Sequence, residues 1–273
     1  HILDLTNQHA VDDFFLRNAF DEVYQLAADM GGADYIFTGD NDLEIMTRSM
    51  QINLNVIDAV RAYNVPKIFY SSSACVYSED KQVDRNNIDC REAAAYPANP
   101  DSEYGWEKLF AERLYMNLHK HTNTQVRIAR FHNIFGPSSE YDSGREKAPA
   151  AICRKVSKCT NGGSIDVYGT GEQVRSFLYI TDCLDAIEDL MLSGYSAPIN
   201  IGSDFTISIN DLAKKIIAIS GKSITINNID VPQTGVIART SNNELFDRMV
   251  GTAKKVSLPY GLSELYLWVD SQT

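Results

Sequence analysis

Short apolar runs alternate with longer helical patterns over the first half of the chain, and this alternation limits the possible folds more than any other feature. Residues 42–63 carry apolar side chains three or four positions apart, which is a helical spacing, and Pro66 follows them. Residues 22–28 (EVYQLAA) and 67–72 (KIFYSS) are apolar runs of strand length on either side. Strands joined by helices form a parallel sheet with both faces covered. We therefore predict an α/β fold with a doubly wound parallel sheet.

The pattern changes after about residue 137. Before that point, a helix is predicted at 102–121 and a strand at 125–131. After it, the predicted elements are shorter: a helix at 148–158, strands at 165–168 and 174–180, a helix from 181, a strand at 198–201, a helix at 210–220 and a C-terminal helix. We predict that residues 1–137 contain the sheet. Residues 138–273 are predicted to be mainly a smaller mixed α/β lobe, with some segments that return to the sheet.

The composition excludes several classes of partner. The formal net charge is −11 and the pI is about 4.9, whereas a nucleic-acid partner requires a surface rich in lysine and arginine. The five cysteines form no paired Cys-x-x-Cys motifs, so we predict no metal site, and scattered free thiols suit a reducing compartment. No run of eighteen apolar residues occurs. We expect a cytoplasmic protein that does not bind nucleic acid or membranes.

A tyrosine and a lysine stand four positions apart at Tyr104 and Lys108, within a predicted helix. This spacing places both side chains on one helix face, where an ammonium lowers the pKa of a phenol toward that of a general base. Ser73 follows a predicted buried strand. Active sites of open α/β sheets form at the carboxyl ends of strands, so these residues are candidates for taking a proton from a substrate hydroxyl as a hydride leaves.

Further motifs accompany these residues, namely LAAD at 26–29, RFHNIFGP at 130–137, RSFLYITD at 175–182 and NIGS at 200–203. With them, the chain resembles the extended short-chain dehydrogenase/reductase family, which includes NAD-dependent epimerases and dehydratases of nucleotide sugars. The resemblance implies a Rossmann-like domain, an NAD cofactor, a homodimer and an oxidation triad of Ser73, Tyr104 and Lys108. It also implies cofactor contacts at Asp4, Ala27, Ala28, Tyr104 and Lys108.

Three features narrow the resemblance within that family: Cys75, the segment GREKAPAA at 144–151, and the segments ADMGG at 28–32 and FHN at 131–133. They are similar to members that epimerise GDP-mannose or a related sugar nucleotide at two carbons. By this resemblance, Cys75 and Lys147 are the two acid/base residues. The implied substrate contacts are Gly31, Ser73, Ala74, Cys75, Asn133, Glu146, Lys147, Ala148, Lys155, Gln173, Val174, Arg175 and Arg239.

The expected chemistry explains why a cysteine and a lysine are needed. Oxidation of C4 of a hexose to a ketone makes the hydrogens on C3 and C5 acidic. One residue then removes a proton from one face of the ring, and another returns a proton to the opposite face. Both side chains can do this when the site brings their pKa values toward neutrality. A structural role is the alternative for each: a small buried apolar residue for Cys75 and a first-turn helix residue for Lys147.

The sequence also departs from the family pattern. It contains no glycine-rich phosphate loop, it begins with His1, and residues 1–5 (HILDL) are predicted to form a strand. We expect a piece of a longer protein, which in this form binds NAD weakly. Two alternatives stay open: another nucleotide-sugar epimerase or 4,6-dehydratase, and a non-catalytic nucleotide-binding relative. A dehydratase would require an Asp-Glu pair where Cys75–Val76 stands.

Overall fold

The structure is a computed structural model that describes residues 3–231, 235–251 and 255–273. Its strands are β1 (Glu22–Gln25), β2 (Lys67–Ser73), β3 (Gln125–Phe131), β4 (Ile134–Phe135), β5 (Ser164–Tyr168), β6 (Val174–Ser176), β7 (Leu178–Tyr179), β8 (Pro198–Ile201), β9 (Thr206–Ser208), β10 (Thr225–Ile229) and β11 (Ala238–Arg239). Its helices are α1 (Gln8–Arg17), α2 (Ala33–Ile36), α3 (Asp42–Ala62), α4 (Glu103–His121), α5 (Ala148–Lys158), α6 (Ile180–Leu192), α7 (Ile209–Ser220), α8 (Glu244–Met249) and α9 (Leu258–Gln272).

The central sheet has the strand order β1-β2-β3-β8, and every neighbouring pair is parallel. Successive residues of a strand point to opposite faces. Ile68 and Tyr70 of β2 therefore pack with α1, α3 and α4, whereas Phe69 packs with α6, α8 and β8 on the other face. Because both faces are covered, β2 carries successive buried apolar residues at Ile68, Phe69 and Tyr70. The predicted α/β fold with a parallel sheet is confirmed.

The second half of the chain adds small sheets around a separate apolar cluster. Strands β5 and β10 pair in parallel, β6 pairs antiparallel with β9 and parallel with β11, and β4 pairs in parallel with β7. Buried residues of α5, α7 and α9 meet β5 in this cluster, including Ile152, Ile165, Leu212 and Leu265. Strand β8 and helix α6 return to the central sheet.

Side-chain caps fix the beginnings of several helices. Asn7, Ser102 and Ser208 each accept a hydrogen bond from a backbone N–H of the first turn of α1, α4 and α7, respectively. The sequence predicted the bounds of β3, β8 and α5 as they are observed, and those of α3 and α4 to within one residue. The cap at Ser102 sets the point where α4 begins, and therefore the position of Tyr104 in its first turn.

Three predictions about secondary structure were wrong in part. Of the strand predicted at residues 1–5, His1 and Ile2 lie outside the described residues. The following three residues form no strand, because Asp4 accepts hydrogen bonds from Thr6 and Asn7 in a turn that leads into α1. Strand β1 ends at Gln25, before the predicted end at 28, and the predicted strand at 174–180 divides at Phe177.

Candidate active site

The candidate site lies where β2 and β3 end, at the carboxyl edge of the central sheet. Ser73 is the last residue of β2, and a 3-10 turn from Ala74 to Val76 follows it and carries Cys75. The Ser73 hydroxyl oxygen accepts a hydrogen bond of 3.2 Å from the backbone N–H of Cys75. A single turn therefore fixes the serine hydroxyl and the thiol relative to each other.

Helix α4 brings Tyr104 against this turn through an unusually close approach at Gly105. A Cβ atom added at Gly105 would lie 2.3 Å from the carbonyl oxygen of Cys75 and 2.8 Å from Cβ of Pro100. Only glycine allows the helix backbone to come so near to the turn. Tyr104 is buried, at 5% exposure, and packs with Ile36, Ile45 and Cys75.

The predicted lowering of the Tyr104 pKa by Lys108 was wrong in this structure. The Lys108 ammonium donates to the carbonyl oxygen of Ser71 at 3.0 Å and lies 5.7 Å from the centroid of the Tyr104 ring. Burial raises the pKa of Tyr104, Cys75 raises it further, and the neighbouring Ser73 side chain opposes both effects. Burial also lowers the pKa of Lys108, although Glu107 opposes this change. Desolvation therefore outweighs the charge of the lysine at this distance.

Lys147 enters the site on a loop that is held against the 28–32 segment. The backbone N–H of Gly32 donates to the carbonyl oxygen of Arg145 at 2.9 Å. The Arg145 guanidinium pairs with Asp29 at 2.9 Å and lies 4.0 Å from the centroid of the Tyr35 ring. Lys147 stays exposed to the adjoining cavity, but the protein atoms around it lower its pKa by desolvation, and Cys75 opposes this effect. The net effect lowers the pKa of Lys147 toward the range of an acid/base residue.

These residues surround one cavity of about 240 Å³, which is large enough for an organic group. Its walls include twelve of the thirteen predicted substrate contacts: Gly31, Ser73, Ala74, Cys75, Asn133, Glu146, Lys147, Ala148, Lys155, Gln173, Arg175 and Arg239. Tyr104 lines it as well. Val174, the remaining predicted contact, does not line the cavity. The residues come from distant parts of the chain, and their roles stay predictions.

Of the five predicted cofactor contacts, four lie in or near the cavity or the segment that leads to it, and Asp4 lies apart from them. Tyr104 lines the cavity, and Lys108 lies one turn further along α4, buried beneath it. Ala27 and Ala28 are half-buried between the end of β1 and the segment that lines the cavity. Asp4 is in a separate surface hollow with Thr6, Thr47, Arg48 and Gln51.

Two arginines stand side by side in the cavity wall. Arg175 of β6 is in register with Arg239 of β11. Burial and the charge of Arg239 lower the pKa of Arg175 to about 10. Arg175 donates to the carbonyl oxygens of Val174, Val236 and Ile237, and no carboxylate of the described residues lies within ion-pair distance of it.

Sequence reasoning missed the residues that hold the predicted ones in place. Asp29 and Arg145 fix the loop of Lys147, and Gln82 and Asp101 bind Arg239. Their partners are more than 100 residues away, and a single sequence carries no signal for such pairs. Both Asp29 and Arg145 do stand inside or beside the quoted motifs, at 26–29 and 144–151.

The described part of the chain offers neither a metal centre nor a membrane span. Within it, no group of three or more His, Cys, Asp or Glu residues is placed to hold a metal ion. No helix among the described residues is both long and apolar enough to cross a membrane.

Comparisons with known proteins agree on one group. The NAD dependent epimerase/dehydratase family matches residues 1–202. GDP-mannose 3,5-epimerase from Arabidopsis thaliana is 40% identical over 270 residues, which are 97% of this chain and 70% of that protein. GDP-mannose 3,5-epimerase 1 from Oryza sativa subsp. indica is 38% identical over 273 residues, covering 100% of this chain and 70% of that one. The solved structure of UDP-glucose 4-epimerase from Thermus thermophilus in complex with NAD has a TM-score of 0.83 at 18% identity, over 99% of this chain and 84% of that one, which confirms a Rossmann-like fold.

Proposed function

The chain belongs to the NAD dependent epimerase/dehydratase family, and on that premise we propose that it converts GDP-mannose to GDP-L-galactose by 3,5-epimerisation. One observation carries the proposal: Ser73, Cys75, Tyr104 and Lys147 line a single cavity, although they come from three separate segments of the chain. The 38–40% identity to GDP-mannose 3,5-epimerases supports the choice of this reaction over a dehydratase.

The residues present fit part of an NAD site. Lys108 is buried, and its ammonium, which carries three hydrogens, donates to one protein oxygen, that of Ser71, so it has donors left for a ligand hydroxyl. Ala27 and Ala28, which have small side chains, follow the carboxyl end of β1 and are half-buried. Asp4 would contact the adenine end from its hollow. NAD, when bound, supplies the acceptor for the hydride from C4 and later its donor.

Oxidation at C4 requires a base for the hydroxyl proton. Tyr104 and Ser73 line the same cavity at the end of β2, so both oxygens can face the same substrate hydroxyl. In this role Ser73 binds the hydroxyl and Tyr104 takes its proton. The Lys108 ammonium lies 5.7 Å from the Tyr104 ring centroid, and burial, which raises the pKa of Tyr104, outweighs its charge at this distance.

Epimerisation requires two acid/base groups on opposite faces of the 4-keto sugar. Cys75 extends from the turn after β2, and Lys147 stands at the start of α5, so they approach the cavity from different elements. Cys75 raises the pKa of Lys147 against the effect of burial. We assign proton removal and proton return at C5 and C3 to this pair.

The diphosphate of the substrate needs cationic donors beside the sugar site. Arg175 lines the cavity without a carboxylate partner among the described residues, so its charge is available to an anion. Lys155 lines the same cavity, where its ammonium lies 4.6 Å from the Tyr168 ring centroid. We propose that Arg175 and Lys155 bind the diphosphate.

We also propose a homodimer in the cytoplasm. Trp106 and Phe110, at 40% and 49% exposure, lie four residues apart on α4, and Leu54, at 41% exposure, lies on the neighbouring α3. A second copy would cover these apolar side chains.

The five free cysteines support the reducing compartment. The division into an NAD-binding part at 1–137 and a mainly substrate-binding part at 138–273 is likewise part of the proposal.

The reaction is tested by incubating the protein with GDP-mannose and a large excess of NAD, because weak NAD binding is expected, and following the sugar by NMR. We expect GDP-L-galactose to form without net change in NADH, because the hydride returns to C4. A 4-keto-6-deoxy sugar would instead indicate a dehydratase, and an unchanged sugar with saturable GDP-mannose binding would indicate a non-catalytic relative.

Sedimentation of the wild type and of Phe110→Asp tests the dimer, which the charged variant should dissociate.

A further inference from the structure

The thiol of Cys75 has a cationic partner that is held in place from two sides. The Arg239 guanidinium donates through one terminal nitrogen to Sγ of Cys75 at 3.0 Å. Its second terminal nitrogen donates to Asp101 at 2.8 Å, and its Nε donates to the side-chain oxygen of Gln82. Arg239 is 5% exposed, so this arrangement forms almost entirely inside the protein.

Both partners that hold Arg239 are themselves fixed. Gln82 is fully buried, and its side-chain NH₂ donates to the carbonyl oxygens of Tyr77 and Ser78. Its backbone carbonyl accepts a hydrogen bond from Ala238, the residue before Arg239. Asp101 immediately precedes Ser102, which caps α4, and its side chain is 4% exposed. The guanidinium is therefore oriented by buried groups.

The neighbouring arginine provides a contrast. Arg175 donates to backbone carbonyls, whereas each nitrogen of Arg239 is bound to a side chain. Burial alone would lower the pKa of Arg239, but Cys75 and Asp101 outweigh burial and raise it. Arg239 is thus a permanent cation whose donors are largely used within the protein. These contacts favour an effect of Arg239 on the Cys75 sulfur over the substrate contact that the resemblance implies for Arg239.

We propose that Arg239 is a positioning residue for Cys75, which stabilises negative charge on the sulfur, and that Gln82 and Asp101 orient it for this purpose. The role in catalysis rests on the proposed epimerase function, because it concerns the same acid/base cysteine. A guanidinium in contact with sulfur stabilises the thiolate, which is the reactive form. Removal of the proton from carbon by Cys75 starts from that form.

Alkylation of the thiols tests this inference without substrate or cofactor. The protein is treated with iodoacetamide at pH 7, and labelling at each cysteine is followed by peptide mass spectrometry. Cys159 is the internal control, because it is also half-buried but its sulfur lies against the carbonyl oxygens of Thr160 and Ser164. We expect Cys75 to react about tenfold faster than Cys159, the size expected when more thiolate is partly offset by lower nucleophilicity. An equal or lower rate at Cys75 in the wild type overturns the proposal.

Substitutions at Arg239 separate the effect of its charge on Cys75 from the effect of its shape. Arg239→Gln should slow labelling of Cys75 about tenfold and leave Cys159 unchanged, whereas Arg239→Lys should keep the rate within about threefold of wild type. Arg175→Gln is the matched control, since it removes a cation from the next strand without touching the sulfur, and it should change the rate less than Arg239→Gln. A wild-type rate in Arg239→Gln contradicts the proposal.

Two further readouts distinguish a failure of this inference from unfolding of the variant and from a failure of the proposed function. Labelling of the buried Cys153 would reveal that Arg239→Gln unfolds, and Arg239→Lys then decides: a rate near wild type supports the inference, and a rate near that of Cys159 overturns it. If Cys75 labels rapidly but GDP-mannose is not epimerised, the proposed function fails while the contact with Arg239 stands. If epimerisation occurs but labelling does not depend on Arg239, only the present inference fails.

Discussion

Replacing Gly105 with alanine should disrupt the site while leaving the fold intact. The new Cβ would lie 2.3 Å from the carbonyl oxygen of Cys75, whereas real Cβ atoms essentially never approach closer than 3.0 Å. The helix and the turn therefore have to separate by about 0.7 Å or more. This separation changes the distance between Tyr104 on α4 and Cys75 on the turn. A misplacement of about 1 Å costs roughly 10²-fold in rate.

The effect on stability should be smaller, because two terms oppose each other. Alanine in a helix is about 1 kcal/mol better than glycine, and overpacking costs about 1–3 kcal/mol. We therefore expect the far-UV circular dichroism spectrum to be unchanged and kcat for GDP-mannose epimerisation to fall about 10²-fold. Gly194→Ala is the matched control, since a Cβ there meets no atom within 4 Å, and it should keep wild-type activity. Activity of Gly105→Ala within threefold of wild type would refute the reasoning.

Four other substitutions test separate parts of the account. Tyr104→Phe should lower kcat by about 10²-fold or more while GDP-mannose binding by calorimetry persists, and near-normal turnover would remove Tyr104 from the oxidation step. Glu112→Gln leaves the buried Arg130 charge unpaired and should lower the free energy of urea unfolding by about 3–5 kcal/mol. Arg61→Met, in an exposed ion pair, should cost less than about 1 kcal/mol, and equal losses would contradict the role of burial. Burial lowers the pKa of His132 to about 3, so its contribution to stability is present above the unfolded pKa near 6.5 and is lost as pH falls from there toward 3. His132→Gln should weaken the fall in unfolding free energy between pH 6.5 and 4.5, and an unchanged fall would contradict this.

Elements with strong local signals could be predicted from the sequence. Helix α5 begins after Lys147 with proline in its first turn, and its observed bounds match the prediction. Helix α1 was missed, although Asn7 caps it, because its apolar residues follow a segment with strand-like composition. The predicted strand at 174–180 divides because its first half pairs with β9 and β11 and its second half with β4, and such tertiary pairing has no local signature.

The candidate site was predictable in its members but not in its arrangement. The motifs pointed to Ser73, Cys75, Tyr104 and Lys147, and the fold places all four around one cavity. Their distances depend on the close approach at Gly105 and on the pairing of Asp29 with Arg145, which join segments far apart in the sequence. The pKa of Tyr104 was mispredicted for the same reason, since its burial depends on the packing of α2 and α3 residues against it.

The central claim is that Cys75 and Lys147 exchange protons at C5 and C3 of a transient 4-keto sugar. Incubation of GDP-mannose with the enzyme and NAD in deuterated water measures this exchange directly by NMR and mass spectrometry. The wild type should incorporate deuterium at C5 and C3. Cys75→Ser should lose most of it, because a hydroxyl is a far weaker acid than a thiol, and Lys147→Ala should lose it as well. Near-normal deuterium incorporation in both variants would show that these residues are structural and would contradict the account.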